Sequence, residues 1–408
     1  MSAWKDEDLE NLYQEADFDS DHAEVKEIKS SVCSLVEELT NFIASEDSLF
    51  ENSVMRSGSF FEDLKVEGPD EFDFMICLED LSTDPGVCKE TEILSRPIRD
   101  PGYIDLQVTS EAHRRKWQDY ISEQGNLKPD ELLQTFEKLV KKAVKQRKRD
   151  VLVNIGPEIT VELRKIPVVL KITWNGNKYR NFAIAIDLTL CIRTSGWPEA
   201  SDIRHRVKRE HPGYEVVQEA IRGGHHVVAS TIGEAGQPQP CWRLSFSVAE
   251  GIVLREICKD PKLIHKMTLK LLKVLRKKYE DDLCLFERGH KQGESSYVNT
   301  IPWEFHSYAL KTMFLQEWFE YPQDSYWCKD KLRKRLRGVL QRIKNSMKQK
   351  DIRSFWVPEY KLFNFQARNT VLIRFPVLKL STLIDNLREL GDSPRTSSDI
   401  LLETFSLI

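Results

Sequence analysis

Three carboxylates and one Gly-Ser pair are the residues of this sequence best suited to do chemistry. In GSFFEDLKVEGPDEFDFMI, residues 58–76, Glu71 and Asp73 lie two positions apart. On a strand both would share one face while Phe72 packs on the other. Neighbouring carboxylates repel one another and are tolerated where a divalent cation sits between them. A third acid, Asp187, stands in FAIAIDLTLCI, residues 182–192. There the even positions are large and apolar, whereas Ala183, Ala185, Asp187, Thr189 and Cys191 are small or polar. This predicts a central strand with one packed face and one ligand-facing face, since an Asp buried there without a partner would be costly. Three such acids can hold two Mg²⁺ or Mn²⁺ ions, one lowering the pKa of a sugar hydroxyl and the other offsetting charge on a departing pyrophosphate. Gly58 would let the backbone approach a phosphate, and Ser59 offers N–H and hydroxyl donors. The chemistry implied is metal-assisted nucleotidyl transfer. A Gly-Ser pair followed by Glu-x-Asp also occurs in surface loops, and the third acid is what gives the pattern weight.

Several elements must position these groups. Residues 20–45 read as one helix, N-capped by Asp21, with Val25, Ile28, Val32, Leu35 and Leu39 at helical spacing. Residues 56–80 change to a strand period, residues 86–110 read as a loop with edge strands, and 130–149 as a helix ending in cations. Strands are predicted over 159–173 and 181–192, turning at Asn175-Gly176-Asn177. From about residue 260 the pattern is helical, over 262–280, 302–319, 328–350 and 378–390. The fold class predicted is mixed α/β (α+β), bilobal. Residues 1–210 would hold a long helix and the sheet core. Residues 211–408 would hold the rest of the core, a strand near 240–250, and a helical lobe.

The 408 residues are 40% apolar and 30% charged, with a net charge of −4, which excludes a uniformly basic nucleic-acid coat but not a local basic patch. No apolar run is long enough for a membrane span, and the acidic start lacks the profile of a signal peptide. Eight cysteines without a CxxC pair point to reduced thiols and a cytoplasmic location, and His265 with Cys258 and Cys284 has no metal-site spacing. Three basic runs stand out: Lys262, Lys266 and Lys270 at four-residue spacing; Lys141, Lys142 and Lys145 with residues 147–149; and Lys331 to Arg337. Each fits phosphate contacts and equally a solvated helix face.

The apolar residue, Gly-Ser and Glu-x-Asp series resembles the nucleotidyltransferase superfamily that includes DNA polymerase beta. The longer blocks GSFFEDLKVEGPDEFDFMICLE, AIDLTLCIRTSGWPEA, CWRLSFSVAE and HSYALKT, in this order, resemble the cyclic GMP-AMP synthase family, the cGAS-like receptors of male-abnormal (Mab) type. The resemblance implies that Glu71, Asp73 and Asp187 bind metal and that Ser59 touches phosphate. Ser57, Thr189, Arg243, Ser245, Ser247 and Glu250 would face the two nucleotides. Lys273 would meet the donor triphosphate, Ser307 a phosphate, and Tyr308 would stack on a base. By residue pattern alone, Tyr308 also fits a core position, Arg243 a structural ion pair and Lys273 a solvated lysine.

One departure matters. Vertebrate members carry a zinc-binding thumb between the WRLSFS strand and the LKLLK helix, but the interval GIVLREICKDPKLIHKMT holds only Cys258 and His265. No zinc is expected. The activator expected from the resemblance is double-stranded RNA before DNA, through Lys262, Lys266 and Lys270, with a dimer forming on the nucleic acid. The expected product is a cGAMP-like cyclic dinucleotide made from ATP and GTP or another NTP pair, acting on a STING-type receptor in antiviral innate immunity. The alternatives are an oligoadenylate synthetase-like enzyme with a linear product and a catalytically silent developmental relative.

Overall fold

The computed structural model describes residues 4–82, 93–97, 100–146, 154–156, 159–163, 167–194, 196–232, 239–279, 307–362 and 374–387. Outside them lie Cys88, Cys284, positions 147–149 of the second basic run, 86–92 of the predicted loop and 302–306 of the predicted helix 302–319. The chain divides into two compact units. One comprises Asp19–Arg206 and Tyr214–Glu256; the other comprises Met1–Phe18, Val207–Gly213 and Ile257–Ile408.

The first unit is built on a mixed nine-stranded sheet. Its strands are β1 (Asn52–Ser57), β2 (Glu71–Leu78), β3 (Ile93–Pro97), β4 (Tyr103–Val108), β5 (Thr160–Leu163), β6 (Val168–Trp174), β7 (Phe182–Thr194), β8 (His225–Ile232) and β9 (Gln239–Ser245). The main path runs β1-β2-β7-β8-β9-β4-β3, with β5 and β6 attached through β7. At 13 residues β7 is the spine: β2 lies parallel along one edge, while β6 and then β8 lie antiparallel along the other. The predicted alternation holds along it. Ile184, Ile186, Leu188, Leu190 and Ile192 are buried, whereas Ala183, Ala185, Asp187 and Thr189 are exposed or half-buried. Cys191 is the exception on the small face, being fully buried.

The long helix spans Ala23–Glu46 and packs on the helix Pro129–Gln146 and on β1. Its N-cap is His22, whose Nδ1 accepts from the Glu24 N–H at 3.2 Å; the predicted cap, Asp21, pairs with Lys26 instead. The Asn-Gly-Asn hairpin forms as a longer connection over 175–181. It is fastened by Glu24, whose carboxylate accepts from the backbone N–H groups of Lys178 and Tyr179 and from the indole Nε1–H of Trp174 at 2.7–3.0 Å. A Cβ at Gly176 would fall 2.1 Å from Glu24 Oε1, so this glycine makes room for the carboxylate.

The second unit holds the helices Asp6–Ala16, His265–Lys278, Ser307–Glu320, Leu332–Gln349 and Arg374–Asn386. The first packs on His265–Lys278. Ser307–Glu320 and Leu332–Gln349 enclose Glu317, which is 2% exposed and sits 2.9 Å from Arg335 Nη1 and 2.6 Å from Arg342 Nε. Among the described residues no helix is long and apolar enough to cross a membrane.

Candidate active site

The register of the sheet brings the three acids together. Asp73 on β2 is the Cα partner of Asp187 on the parallel neighbour β7, and on its other side it is the partner of Ser57 at the end of β1. Paired residues on neighbouring strands point to the same face, so Ser57, Asp73 and Asp187 form one row across three strands. Glu71, two residues before Asp73 on β2 and opposite Ala185, lies on the same face beside this row. One oxygen from each of Glu71, Asp73 and Asp187 lies within 4.8 Å of the others. Glu71 is exposed and both aspartates are half-buried, so the cluster faces outward from a buried layer that includes Phe72, Phe74, Ile186 and Leu188.

Gly58 follows β1 and opens a one-turn helix, Gly58–Phe61, with φ at +76°. A Cβ here would stand 1.8 Å from Asp73 Oδ2 and 2.4 Å from its Cγ. The glycine therefore answers to the carboxylate: the space a side chain would take belongs to Asp73. Packing fastens the turn to β2, with the rings of Phe60 and Phe72 4.3 Å apart and those of Phe61 and Phe74 5.3 Å apart. Ser59 is half-buried, and its carbonyl accepts from the Leu64 N–H at 2.8 Å.

One cation beside this cluster escapes the sequence reading. Lys65 Nζ lies 2.8 Å from Asp70 Oδ1 and 2.9 Å from Glu71 Oε2, with its side chain only 12% exposed. Burial alone would lower its pKa, but attraction to Glu71 and Asp70 outweighs that and raises it. The signal was unreadable from spacing, because the loop that returns Lys65 to Glu71 has no period.

The same sheet face continues away from the acids. Thr189, opposite Met75, is the next small-face position after Asp187. Cys77 pairs with Cys191, Cys191 with Val228, and Val228 with Arg243 on β9. One row further, Arg193 pairs with His226 and His226 with Ser245. Arg243 is exposed, Ser245 and Ser247 are half-buried, and the two serine Oγ atoms are 3.3 Å apart. Met75, Cys77, Cys191 and Val228 form a buried floor between the acid row and the Arg243–Ser245 strand end. The two thiols are hydrogen-bonded, which lowers the pKa of Cys77, while burial raises that of Cys191. Glu250 lies in the helix Ser247–Ile257 and is buried, at 1% exposure.

The remaining predicted contacts lie in the helical unit. Ser307 and Tyr308 open the helix Ser307–Glu320 and both are exposed, Tyr308 at 36%, so Tyr308 is not a core ring. Lys273 is half-buried on the helix His265–Lys278. The lysine stripe breaks up. Because this helix starts at His265, Lys262 sits in the preceding turn, its N–H bonded to Asp260 Oδ1 at 2.9 Å. Lys262 is exposed and Lys266 half-buried, but Lys270 is buried at 3% and paired with Asp17, close to the Tyr13 ring. Lys270 is thus held on Asp17 as a structural cation, with its side chain turned away from solvent.

Residues 60–256 match the Mab-21 protein nucleotidyltransferase domain, and residues 265–374 match the Mab-21 protein HhH/H2TH-like domain. The chain is similar to the cyclic GMP-AMP synthase of Mus musculus, 24% identical over 84% of this chain and 62% of the relative. It is similar to that of Sus scrofa, 23% identical over 84% of this chain and 64% of the relative. It is also similar to Protein mab-21-like of Drosophila pseudoobscura pseudoobscura, 21% identical over 86% of this chain and 88% of the relative. The match thus spans less than two thirds of the two synthases. With both domains matched in order across most of its length, the chain belongs to the Mab-21 family of nucleotidyltransferase-domain proteins.

Proposed function

We propose that this chain is a nucleic-acid-activated cyclic dinucleotide synthase that joins two NTPs, ATP and GTP first among them, by two successive nucleotidyl transfers. The observation that carries the reading is the meeting of Glu71, Asp73 and Asp187 within 4.8 Å, with Asp73 and Asp187 paired across β2 and β7 and Glu71 two residues along β2. Their donors are all carboxylate oxygens on a half-open face, a set that fits a hard divalent cation such as Mg²⁺ or Mn²⁺. When bound, such ions lower the pKa of a ribose hydroxyl and offset charge on pyrophosphate. The chain's own groups orient the reactants. Asp187 would accept from and align the attacking hydroxyl, and Ser57 and Ser59 would donate to phosphate oxygens. Thr189, Arg243, Ser245 and Ser247 would hold the partner nucleotide further along the same face. The hydroxyl oxygen bonds to the α-phosphorus of the other nucleotide, the bond to the β-phosphate breaks, and pyrophosphate leaves. A second transfer of the same kind closes the ring. Lys273, Ser307 and Tyr308 enter the proposal as nucleotide contacts through family resemblance.

The activator proposed is double-stranded RNA before DNA, because the interval between β9 and the helix His265–Lys278 offers only Cys258 and His265 and cannot form the zinc thumb of the vertebrate DNA sensor. Lys262 and Lys266 remain the proposed contacts there, with dimerisation on the nucleic acid, a cytoplasmic location and a STING-type receptor for the product. A second reading, a catalytically silent relative, draws on the match along 88% of a mab-21-like protein. The test is incubation with labelled ATP, GTP, CTP and UTP, Mg²⁺ or Mn²⁺, and either double-stranded RNA or DNA. A phosphatase-resistant dinucleotide that forms with RNA and disappears in Asp73→Asn is the expected result. A phosphatase-sensitive oligomer means linear synthesis, no pyrophosphate release under any condition means a silent relative, and full activity of Asp73→Asn overturns the site.

A further inference from the structure

Lys65 is placed by its backbone. The loop of residues 62–70 contains two non-glycine residues in the left-handed region, Asp63 at φ +58° and Glu67 at φ +73°. They flank Lys65, Asp63 in a turn and Glu67 at a bend. The Leu64 N–H bonds to the Ser59 carbonyl at 2.8 Å, which ties the loop to the Gly58 turn. At the other end the Asp70 carbonyl accepts from the Ala185 N–H at 2.8 Å, which ties it to β7. Both anchors belong to the elements that carry the acid row. Between them the ammonium bridges Asp70 and Glu71, and its side chain is far less exposed (12%) than either partner (54% and 49%). A solvated surface lysine would not be held at both ends of its loop and sheltered in this way.

The carboxylates of Glu71, Asp73 and Asp187 repel one another when no cation lies between them. Lys65 supplies a positive charge to the same cluster from within the chain, and it does so on the oxygen of a residue that a divalent cation would also need. Resting on the reading of these acids as a metal site, we propose that Lys65 is the resident counter-ion of the cluster. It holds Glu71 in place while no divalent cation is bound, and it opposes that cation when one arrives. It thereby sets the metal concentration at which the site fills.

The experiment is a Mn²⁺ titration of the full chain without nucleotide, followed by the EPR signal of free Mn²⁺, with melting temperatures in EDTA and in Mn²⁺ alongside. In water-like screening, a unit charge a few ångströms from a divalent cation is worth on the order of tenfold in affinity. Lys65→Met is therefore expected to bind Mn²⁺ about tenfold more tightly, to melt below wild type in EDTA, and to gain more from Mn²⁺ than wild type does. Lys65→Arg should behave as wild type, and Lys65→Gln provides a second neutral variant should Lys65→Met fail to fold. Unchanged or weaker Mn²⁺ binding in a folded neutral variant overturns the proposal. A wild-type chain that binds no Mn²⁺, or an Asp187→Asn variant that binds it equally well, would instead overturn the metal-site reading itself.

Discussion

Replacing Gly58 by alanine adds a single methyl group, yet the geometry assigns it two separate costs. The backbone at Gly58 has φ +76°, where an L-residue other than glycine costs about 1–2 kcal/mol. The larger effect is on Asp73. The new Cβ would stand 1.8 Å from Oδ2, and real Cβ contacts essentially never fall below 3.0 Å, so the oxygen must retreat by about 1.2 Å or β1 must shift away from β2. A misplacement of about 1 Å at a reacting centre costs on the order of 10²-fold in rate. Gly58→Ala should therefore remain folded, melt a few degrees lower, and release pyrophosphate at a rate reduced about 100-fold. The Mn²⁺-induced rise in melting temperature should shrink in parallel, because the displaced carboxylate is one of the three in the cluster. Ser59→Ala adds no atom against Asp73 and should show no loss of Mn²⁺ stabilisation. The assay pairs pyrophosphate release, under the conditions that activate wild type, with melting curves in EDTA and in Mn²⁺. A folded Gly58→Ala chain that keeps pyrophosphate release within about twofold of wild type and keeps its full Mn²⁺ response would refute the claim that Gly58 is there for Asp73.

Two further outcomes follow from the helical unit. Lys270→Met removes one partner of a buried ion pair and leaves Asp17 behind. It should cost about 2–3 kcal/mol, discounted from a fully buried pair because Asp17 is one-third exposed; Lys262→Ala should leave the melting temperature unchanged, and equal effects of the two would refute the assignment of Lys270 as structural. His265 is 3% exposed, stacks on Trp327 at 4.3 Å, and has its pKa lowered to about 4 by burial, with Asp260 opposing. Its folded pKa lies below the unfolded value of 6.5, so the unfolded chain binds the extra proton. The stability it contributes is complete above pH 6.5 and is lost as pH falls towards 4. His265→Phe should flatten this part of the urea-stability profile between pH 6.5 and 4, and an unchanged slope would refute the burial argument.

The acids were readable in the sequence because strands have period two. A run such as FAIAIDLTLCI can bury only one face, and the small face must then be what Asp187 looks out from. The partnership of Asp73 with Asp187 was not readable, since strand register comes from pairing between segments more than 100 residues apart. Gly58 was legible as a glycine that mattered, but through phosphate approach; the neighbour that requires it is Asp73. The lysine stripe failed for a related reason. Four-residue spacing presupposes a helix, but the helix begins after Lys262, and the solvent expected at Lys270 is replaced by Asp17 from the far end of the chain. β8, which opens on His225 and His226 and continues Val-Val-Ala-Ser-Thr-Ile, carries no clean alternation and emerges only from its pairing with β7 and β9.

These failures share one cause, and it bears on how the site works. A side chain's period tells which way it faces along its own strand or helix, and nothing about what faces it. Gly58, Lys65 and Lys270 are each defined by a carboxylate that spacing does not show: Asp73, Asp70 with Glu71, and Asp17. Two of the three border the acid row. Concentrating carboxylates on neighbouring positions of β2 and β7 obliges the surroundings to yield space at Gly58 and to supply a cation at Lys65. The acids therefore dictate their neighbours more strongly than the neighbours dictate the acids. It follows that a chain which had lost its use for the site, and had replaced Asp73 by a smaller residue and Asp70 and Glu71 by neutral ones, would no longer need a glycine at position 58 or a sheltered lysine at 65. Both are present here with the three acids intact, and a reading in which the acids remain functional accounts for all five residues at once.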